Sequence, residues 1–367
     1  MTRAREFADL AGSADAGGLT GRNLIINGAM QVAQRGTQTN QTTAFTACDR
    51  FDIAVNGAAI VTTSQDTTVP SGQGFSNSLK IDVTTADSSL AASDLVLLRH
   101  KIEAQNLQHL LYGTSDAKNI TLSFWVRSPK TGTHIIELRH ANASYYNSQA
   151  YTINTADTWQ NVTVTFDGYT ATAFNNDNGL GLVIDWWLAA GSTFSGGTLS
   201  SNTWHNIDAN RTVGQVNVAD STSNDFYLTG VQLELGDTAT PFEHRSFGDE
   251  LARCQRYYFR WNAGGNSVAF CGGAFNNGTS NSDGVFTFPV RMRIAPTALE
   301  QSGTAANYKI IGTAGDCSSV PIFLSANVDN IRVRFTNPSN LTSGDCSTLG
   351  ASSTTGANAF LGWSAEL

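Results

Sequence analysis

Apolar and polar residues alternate one for one in segment after segment of this chain, and that period of two is the strongest constraint on its fold. In Ser78–Val83, Leu79, Ile81 and Val83 share one face, and Ser78, Lys80 and Asp82 the other. Ile120, Leu122, Phe124 and Val126 alternate with Thr121, Ser123 and Trp125. Val162, Val164 and Phe166 repeat the pattern, as do Leu180, Leu182, Ile184, Trp186 and Leu188. Side chains of a strand point to opposite faces in turn, so such stretches predict half-buried strands. The longest, Phe226–Leu235, sets Phe226, Leu228, Gly230, Gln232 and Glu234 against Tyr227, Thr229, Val231, Leu233 and Leu235. Leu24–Ile26 starts the series, with Asn27-Gly28 as a hairpin-type turn signal. One helix is predicted at about Lys101–Tyr112, where Ile102, Leu107, Leu110 and Leu111 fall near helical spacing.

Many short strands joined by Gly, Asn, Ser and Thr turns predict a mainly β fold, a two-sheet jelly-roll β-sandwich over residues 23–245. A chain of 367 residues, 41% hydrophobic, holds about two domains at roughly 150 residues each. A second, smaller C-terminal β-sandwich is expected over 259–367, with strands at Val268–Phe270, Val285–Val290, Tyr308–Gly312, Ile322–Leu324 and Ile331–Phe335. Between them, residues 246–258 read as a short coiled-coil-like linking helix. Ser246 and Asp249 have capping-box spacing. Phe247, Leu251, Cys254 and Tyr258 form an apolar seam at spacings of four, three and four. The seam meets either other copies of the chain or its own domain.

Composition narrows the function. A net charge of −8 and a pI near 5.2 argue against broad nucleic-acid binding. No run of about 18 apolar residues is present to span a membrane, and the first residues lack the apolar core of a secretory signal, so folding in a cytoplasm is expected. The five cysteines, Cys48, Cys254, Cys271, Cys317 and Cys346, form no CxxC or Cys/His set. Buried free thiols are expected; Cys317 and Cys346, each in a Gly-Asp-Cys loop, are the two placed to pair in an oxidising compartment. Residues 1–22 form a distinct segment in which Arg3–Leu10 spans about two helical turns. Nucleophile-elbow, zincin and phosphate-loop signatures are all missing. His134 and His140 flank one strand at a separation of about 20 Å, too far to share an ion. Asp185, beside Trp186 and Trp187, and Glu137 are the carboxylates best suited to a glycosidase, although Asp185 is expected to face solvent while Trp186 fills the core.

Sugar binding has the stronger case, because aromatic rings stack on pyranose faces and amides match hydroxyls. The candidates are Trp125, Tyr145, Tyr146, Trp187 and Trp204, with Asn142, Asn147, Asp185 and Asn206 as polar partners. Trp125 and Trp187 lie opposite the apolar residues of their strands, either exposed on one sheet face or covered there by a helix or partner chain. In the C-terminal domain, the loops at Trp261–Asn266 and at Phe275, Asn276, Asn277 and Gly278 are further candidates. Arg332 and Arg334 alternate with Ile331, Val333 and Phe335, and Arg291 and Arg293 flank Met292. These arginines form either an anionic-ligand surface or ion pairs across an interface.

Three segments together carry a family resemblance: residues 226–258 (FYLTGVQLELGDTATPFEHRSFGDELARCQRYY); Asn23–Gly36 followed by Asp49-Arg50-Phe51; and Phe286–Thr297 with the terminal Ala365-Glu366-Leu367. In that order they resemble bacteriophage tail-fibre and receptor-binding proteins, with Phe51 where the family's motif has Trp. Asp157–Val162 leading into a strand is similar to carbohydrate-binding modules of jelly-roll type. The resemblance implies a homotrimeric virion fibre attached to the phage through residues 1–22, a non-enzymatic adhesin for host surface polysaccharide. A capsid fibre or decoration protein, and a polysaccharide depolymerase, are the alternatives. It also implies no cofactor beyond a structural Ca²⁺, to which Asp237 or Asp52 would contribute.

Overall fold

The computed structural model describes residues 21–311, 315–337 and 341–367. The expected attachment segment, residues 1–22, lies outside the described residues except for its last two, as does Gly312. The fold is mainly β and comprises two compact units, divided between Glu250 and Leu251.

The first unit is a jelly-roll sandwich of two six-stranded antiparallel sheets. One sheet, here sheet A, has the order β1 (Gln38–Gln41), β4 (Ile60–Asp66), β5 (Ser78–Thr85), β12 (Asp225–Leu235), β7 (Ile120–Arg127), β10 (Gln160–Phe166). The other, sheet B, has the order β2 (Thr43–Phe45), β3 (Phe51–Asn56), β6 (Leu95–Glu103), β11 (Leu180–Ala190), β8 (Gly132–His140), β9 (Tyr145–Ile153). The alternating apolar residues meet between the sheets. Leu79, Ile81, Leu98, Ile120, Leu122, Phe124, Ile136, Leu138, Ile184 and Trp186 form one buried core.

The alternation expected for β12 fails at its middle. The register with β7 shifts between Thr229 and Gln232, at Gly230, whose φ is +62°. A bulge of this kind inserts one residue and reverses the faces beyond it. Phe226 and Leu228 therefore point inward before it, and Val231 and Leu233 after it; all four are buried in the core. The predicted helix at Lys101–Tyr112 is also corrected. Strand β6 continues to Glu103, and a 3-10 helix covers only Ala104–Leu110, where Leu107 and Leu110 are buried but Leu111 is exposed. Leu24–Ile26 is not a strand; Leu24 donates a single backbone bond to Leu233.

Parts of two of the three segments that carry the family resemblance, Asn23–Gly36 with Asp49 and the stretch Glu243–Glu250, meet in this unit as a polar knot. Asn27, held at a φ of +64°, donates from its side chain to Val32 O and Asp49 O, and its backbone N–H donates to Glu250. Glu243 accepts from the backbone of Gly21 and Asn23. Arg245 donates to the carbonyls of Ile25 and Asn23. Gly28 sits so close to β12 that a Cβ would lie 2.1 Å from Val231 O. These residues tie the start of the domain to its last strand.

Helix α1 is the single turn Ser192–Ser195, and helix α2 spans Phe247–Gln255. Ser246 caps α2 by accepting the Asp249 N–H. Its seam is not the one expected. Tyr258 lies on β13 (Tyr258–Asn262), not on the helix. Cys254 and Tyr258 are buried within the single chain, Phe247 is 57% exposed, and Leu251 is half-buried. A four-residue stripe facing other copies is therefore not what the helix presents.

The second unit packs a three-stranded sheet, β13, β21 (Phe360–Ser364), β16 (Glu300–Gln301), and a six-stranded sheet, β17 (Tyr308–Ile311), β20 (Cys346–Ala351), β14 (Ala269–Asn276), β15 (Asn281–Thr287), β19 (Asn330–Thr336), β18 (Ser319–Ala326). Phe270, Phe286, Tyr308, Ile331, Val333, Phe335, Leu349 and Trp363 form its core. All five cysteines are free; Cys317 is buried and Cys346 exposed.

Candidate functional site

The outer face of sheet B gathers charged groups from strands far apart in sequence. Antiparallel register places Asp52 of β3 opposite Arg99 of β6, Arg99 opposite Asp185 of β11, Asp185 opposite Glu137 of β8, and Glu137 opposite Ser148 of β9. Asp52, Arg99, Asp185 and Glu137 each lie between buried inward-facing residues, so the same period that buries Leu98, Ile184 and Leu138 turns this row outward. Two residues along, on the same face, Arg139 of β8 stands opposite Tyr146 of β9. A third row is apolar: Ala54, Leu97, Trp187 and Ile135, packed with Phe194 and Leu199.

The row is paired ion by ion. Arg99 Nε donates to Asp52 Oδ1 at 2.6 Å, and Lys101 Nζ lies 2.6 Å from Asp52 Oδ2. Arg211, from the loop after α1, donates to both oxygens of Glu137, at 2.6 Å from Nη2 and 3.0 Å from Nε. Ser148 adds a bond of 2.9 Å to Glu137. The Arg211 guanidinium lies 3.8 Å over the Tyr146 ring and 4.9 Å over that of Trp187. Burial works against its charge, but Glu137 more than offsets this and raises its pKa.

Asp185 is the exception. It is 1% exposed, and neither carboxylate oxygen accepts a hydrogen bond. Its nearest cation, Arg139 Nε, is 3.6 Å away. Burial and the facing Glu137 push its carboxyl up to about 6, against the pull of Arg139, Arg211 and Arg99. Burial similarly raises the Tyr146 phenol, and burial with Arg211 lowers the His205 imidazole. Tyr146 and His205 are joined by a backbone bridge.

Several residues expected to bind lie elsewhere. Asp185 does turn away from the core that Trp186 fills, yet it is buried and not solvated. Trp187 is completely buried, its ring 5.3 Å from Phe194. Trp125 is on the outer face of the other sheet, half-buried, where a Cβ on Gly230 would lie 2.9 Å from it and 2.6 Å from Phe75. The two tryptophans therefore do not share a face. Tyr145 faces the opposite way from Tyr146. With Trp204 it packs on Tyr169, in a cluster with Tyr112, His140 and Phe174. Trp204 Nε1 donates to Asp167 O at 2.7 Å.

In the second unit, Trp261 lies on β13 and not in a loop, its ring among Phe259, Phe270 and Phe286. Asn276 is buried, donating to Thr342 O and accepting from Ser347 Oγ. Asn277 is exposed in the turn to β15. Arg332 and Arg334 both pair with Asp283 of the adjacent strand. They hold its carboxyl below the usual range although burial pushes the other way. Arg293 donates to the carbonyls of Ala365 and Glu366.

Among the described residues, no group of three or more His, Cys, Asp or Glu is placed to hold a metal. Asp52 is flanked by two cations, which disfavours a third. Asp237 accepts from Asn119. No helix among the described residues is long and apolar enough to cross a membrane.

Arg99, Arg139 and Arg211 were missed as site residues. Period-two reading of HIIELRH puts Arg139 and Glu137 on the outer face, so that signal was present. Arg211 comes from a loop 74 positions from Glu137, and nothing local announces the pairing.

No family model and no curated protein matches the sequence. Among solved structures, the chain is similar to the enzymatically active domain of bacteriophage CBA120 tailspike protein 4. Identity is 12% and the TM-score 0.33, over 58% of this chain and 21% of that one. It is also similar to a family 11 carbohydrate-binding module of a Clostridium thermocellum cellulosomal cellulase, at 12% identity and a TM-score of 0.27 over 57% and 98%. A xylan-binding domain of family 22 gives 9% and 0.30 over 55% and 98%. At these identities and scores the likenesses add nothing to the β-sandwich class already described.

Proposed function

We propose that the chain is a non-enzymatic glycan-binding protein, and that it serves as an adhesin of a phage fibre. The observation that carries the reading is the outer face of sheet B, where the part-exposed Arg139 lies beside the half-buried Tyr146 ring. A guanidinium and an aromatic side by side suit a saccharide, whose oxygens accept hydrogen bonds and whose ring stacks. The ordered sequence motifs support the fibre context. Asp185 and Glu137 are poor glycosidase candidates, because Arg211 and Ser148 occupy Glu137 and both carboxylates are buried. The test is retention of the purified full chain on a panel of bacterial surface polysaccharides, with competition against phage adsorption to host cells. Failure to bind any glycan or cell would refute it.

A second reading, a structural decoration protein, is favoured by the outer face of the six-stranded sheet in the second unit. Phe275, Val285 and Ile322 are each about half exposed there. Protein that labels virus particles and never cells would support it. A fibre would be trimeric through surfaces other than the complete helix seam, and the native mass by light scattering decides that point.

A further inference from the structure

Arg139 differs from the other cations of the strip. Arg99 is hydrogen-bonded to Asp52, and Arg211 to Glu137. Arg139 has only the 3.6 Å approach to Asp185, too long for a hydrogen bond. Its side chain is 27% exposed, whereas Asp185 beneath it is sealed in and accepts no hydrogen bond. A guanidinium offers five donors in a planar fork, a shape that fits the two oxygens of a carboxylate. Tyr146, directly across the β8–β9 ladder, supplies a ring next to that fork. A neutral hydroxyl would occupy one donor; a carboxylate engages the fork and matches its charge.

We propose that Arg139 binds the carboxylate of an acidic sugar, a uronic acid residue of a surface glycan, and that Asp185 takes up a proton as this ligand docks. The inference rests on the glycan-binding reading above. The groups facing Asp185 are Arg99 from β6, Glu137 and Arg139 from β8, and Arg211 from the loop after α1. Asp52 and Lys101 stand behind Arg99; Asp208, Tyr146 and His205 stand around Arg211. Asp52 is matched by two cations and Glu137 by Arg211, so Arg139, the strongest of the cations that pull on Asp185, is the one no other carboxylate of the strip holds. A ligand carboxylate on Arg139 takes that counter-charge and adds a like charge nearby. Both effects favour protonated Asp185, whose carboxyl burial has already moved toward neutrality. The acidic ligand therefore binds more tightly as pH falls from 8 to 5. Each unit by which it raises the Asp185 pKa gives about a tenfold gain.

The test uses the full chain in affinity electrophoresis and calorimetry with de-esterified polygalacturonate, alginate and fully methyl-esterified polygalacturonate, at pH 5 and pH 8. Uronate carboxyls remain largely ionised at both values. The expected result is binding of one or both acidic polymers, about tenfold tighter at pH 5. The esterified polymer, with the same sugar and no charge, should show no such dependence. Arg139→Gln should lose the acidic polymers while keeping its circular dichroism spectrum, and Asp185→Asn should bind at pH 8 as wild type does at pH 5. Equal affinity for acidic and esterified polymer, unchanged by Arg139→Gln, would overturn this inference and leave glycan binding standing. No binding of these three polymers, with binding of another, neutral glycan, would also overturn it alone. No binding of any glycan would overturn both.

Discussion

Removing Arg211 should destabilise the first unit far more than removing Arg211 and Glu137 together. Glu137 is completely buried, and three of its four hydrogen bonds come from Arg211, the fourth from Ser148. Arg211→Met leaves that carboxylate without its cation, beside a second buried carboxylate, Asp185. Breaking a buried pair from one side costs about 3–5 kcal/mol, because an uncompensated charge remains. Replacing both partners with apolar residues of similar size is often close to neutral. Glu137→Met with Arg211→Met should therefore cost about 1 kcal/mol, roughly 3 kcal/mol less than Arg211→Met alone, while Glu137→Met alone strands the Arg211 cation and should cost about as much as Arg211→Met. The Arg211→Met variant should also be less impaired at pH 5 than at pH 8, since protonating Asp185 relieves the repulsion. Urea unfolding of all four proteins at both pH values, followed by near-ultraviolet circular dichroism, measures each difference. If Arg211→Met and the double variant lose the same stability within about 0.5 kcal/mol, the pair is not the buried, mutually dependent unit described here.

Asp185→Asn should stabilise the protein at pH 8 and not at pH 4. A carboxyl raised from 3.8 to about 6 costs nothing while protonated in both states; the cost grows from about pH 4 and levels above 6 at about 3 kcal/mol. Parallel pH profiles for the two proteins in thermal unfolding would contradict this. Gly230→Ala places a Cβ at positive φ and 2.6 Å from Phe75 Cζ; a loss of about 2–4 kcal/mol in urea titration is expected, from backbone strain and overpacking together. Gly28→Ala should be at least as damaging, because the obstructing atom is a backbone carbonyl; wild-type stability would show that the contact is not made. In a native thiol titration, Cys346 should react first. Cys48 and Cys254, both fully buried, should wait for unfolding; simultaneous reaction of all three would refute their placement.

Much of the fold was legible because burial and period agree over most strands. Leu79, Ile81, Leu122, Phe124, Ile184 and Trp186 all fall where alternation puts them. Legibility failed where one residue changed the phase. At Gly230 a bulge returns Val231 and Leu233 to the core, and a glycine in a strand does not announce whether it bulges. The site was legible in its faces and not in its rows. Asp185 and Glu137 each read as outward from their own strands, but their juxtaposition depends on register between strands 48 positions apart. The aromatic candidates failed for a different reason. Tryptophan and tyrosine suit a core as well as a sugar platform, and Trp187, Trp204 and Trp261 were taken up by packing.

The two outer faces of the sandwich differ in a way that bears on function. On sheet A, Phe75 and Trp125 close over Gly230, and Phe242 packs edge-on and His244 tilted against Phe75. Around Gly230 that face is covered by the chain's own rings. On sheet B, Trp187, Leu97 and Ile135 are covered in the same manner, but the adjoining rows bury Asp52, Glu137, Asp185 and Arg211. Burying charges is costly, and apolar residues of similar volume generally serve stability as well or better. The neighbouring apolar row shows that this sheet face has room for such packing. The charges therefore need a reason other than stability. Three of the four are compensated within the strip. The fourth, Asp185, leans on Arg139, the cation that is free to turn toward a ligand. Stability given up at Asp185 is what a face shaped for an external partner would show.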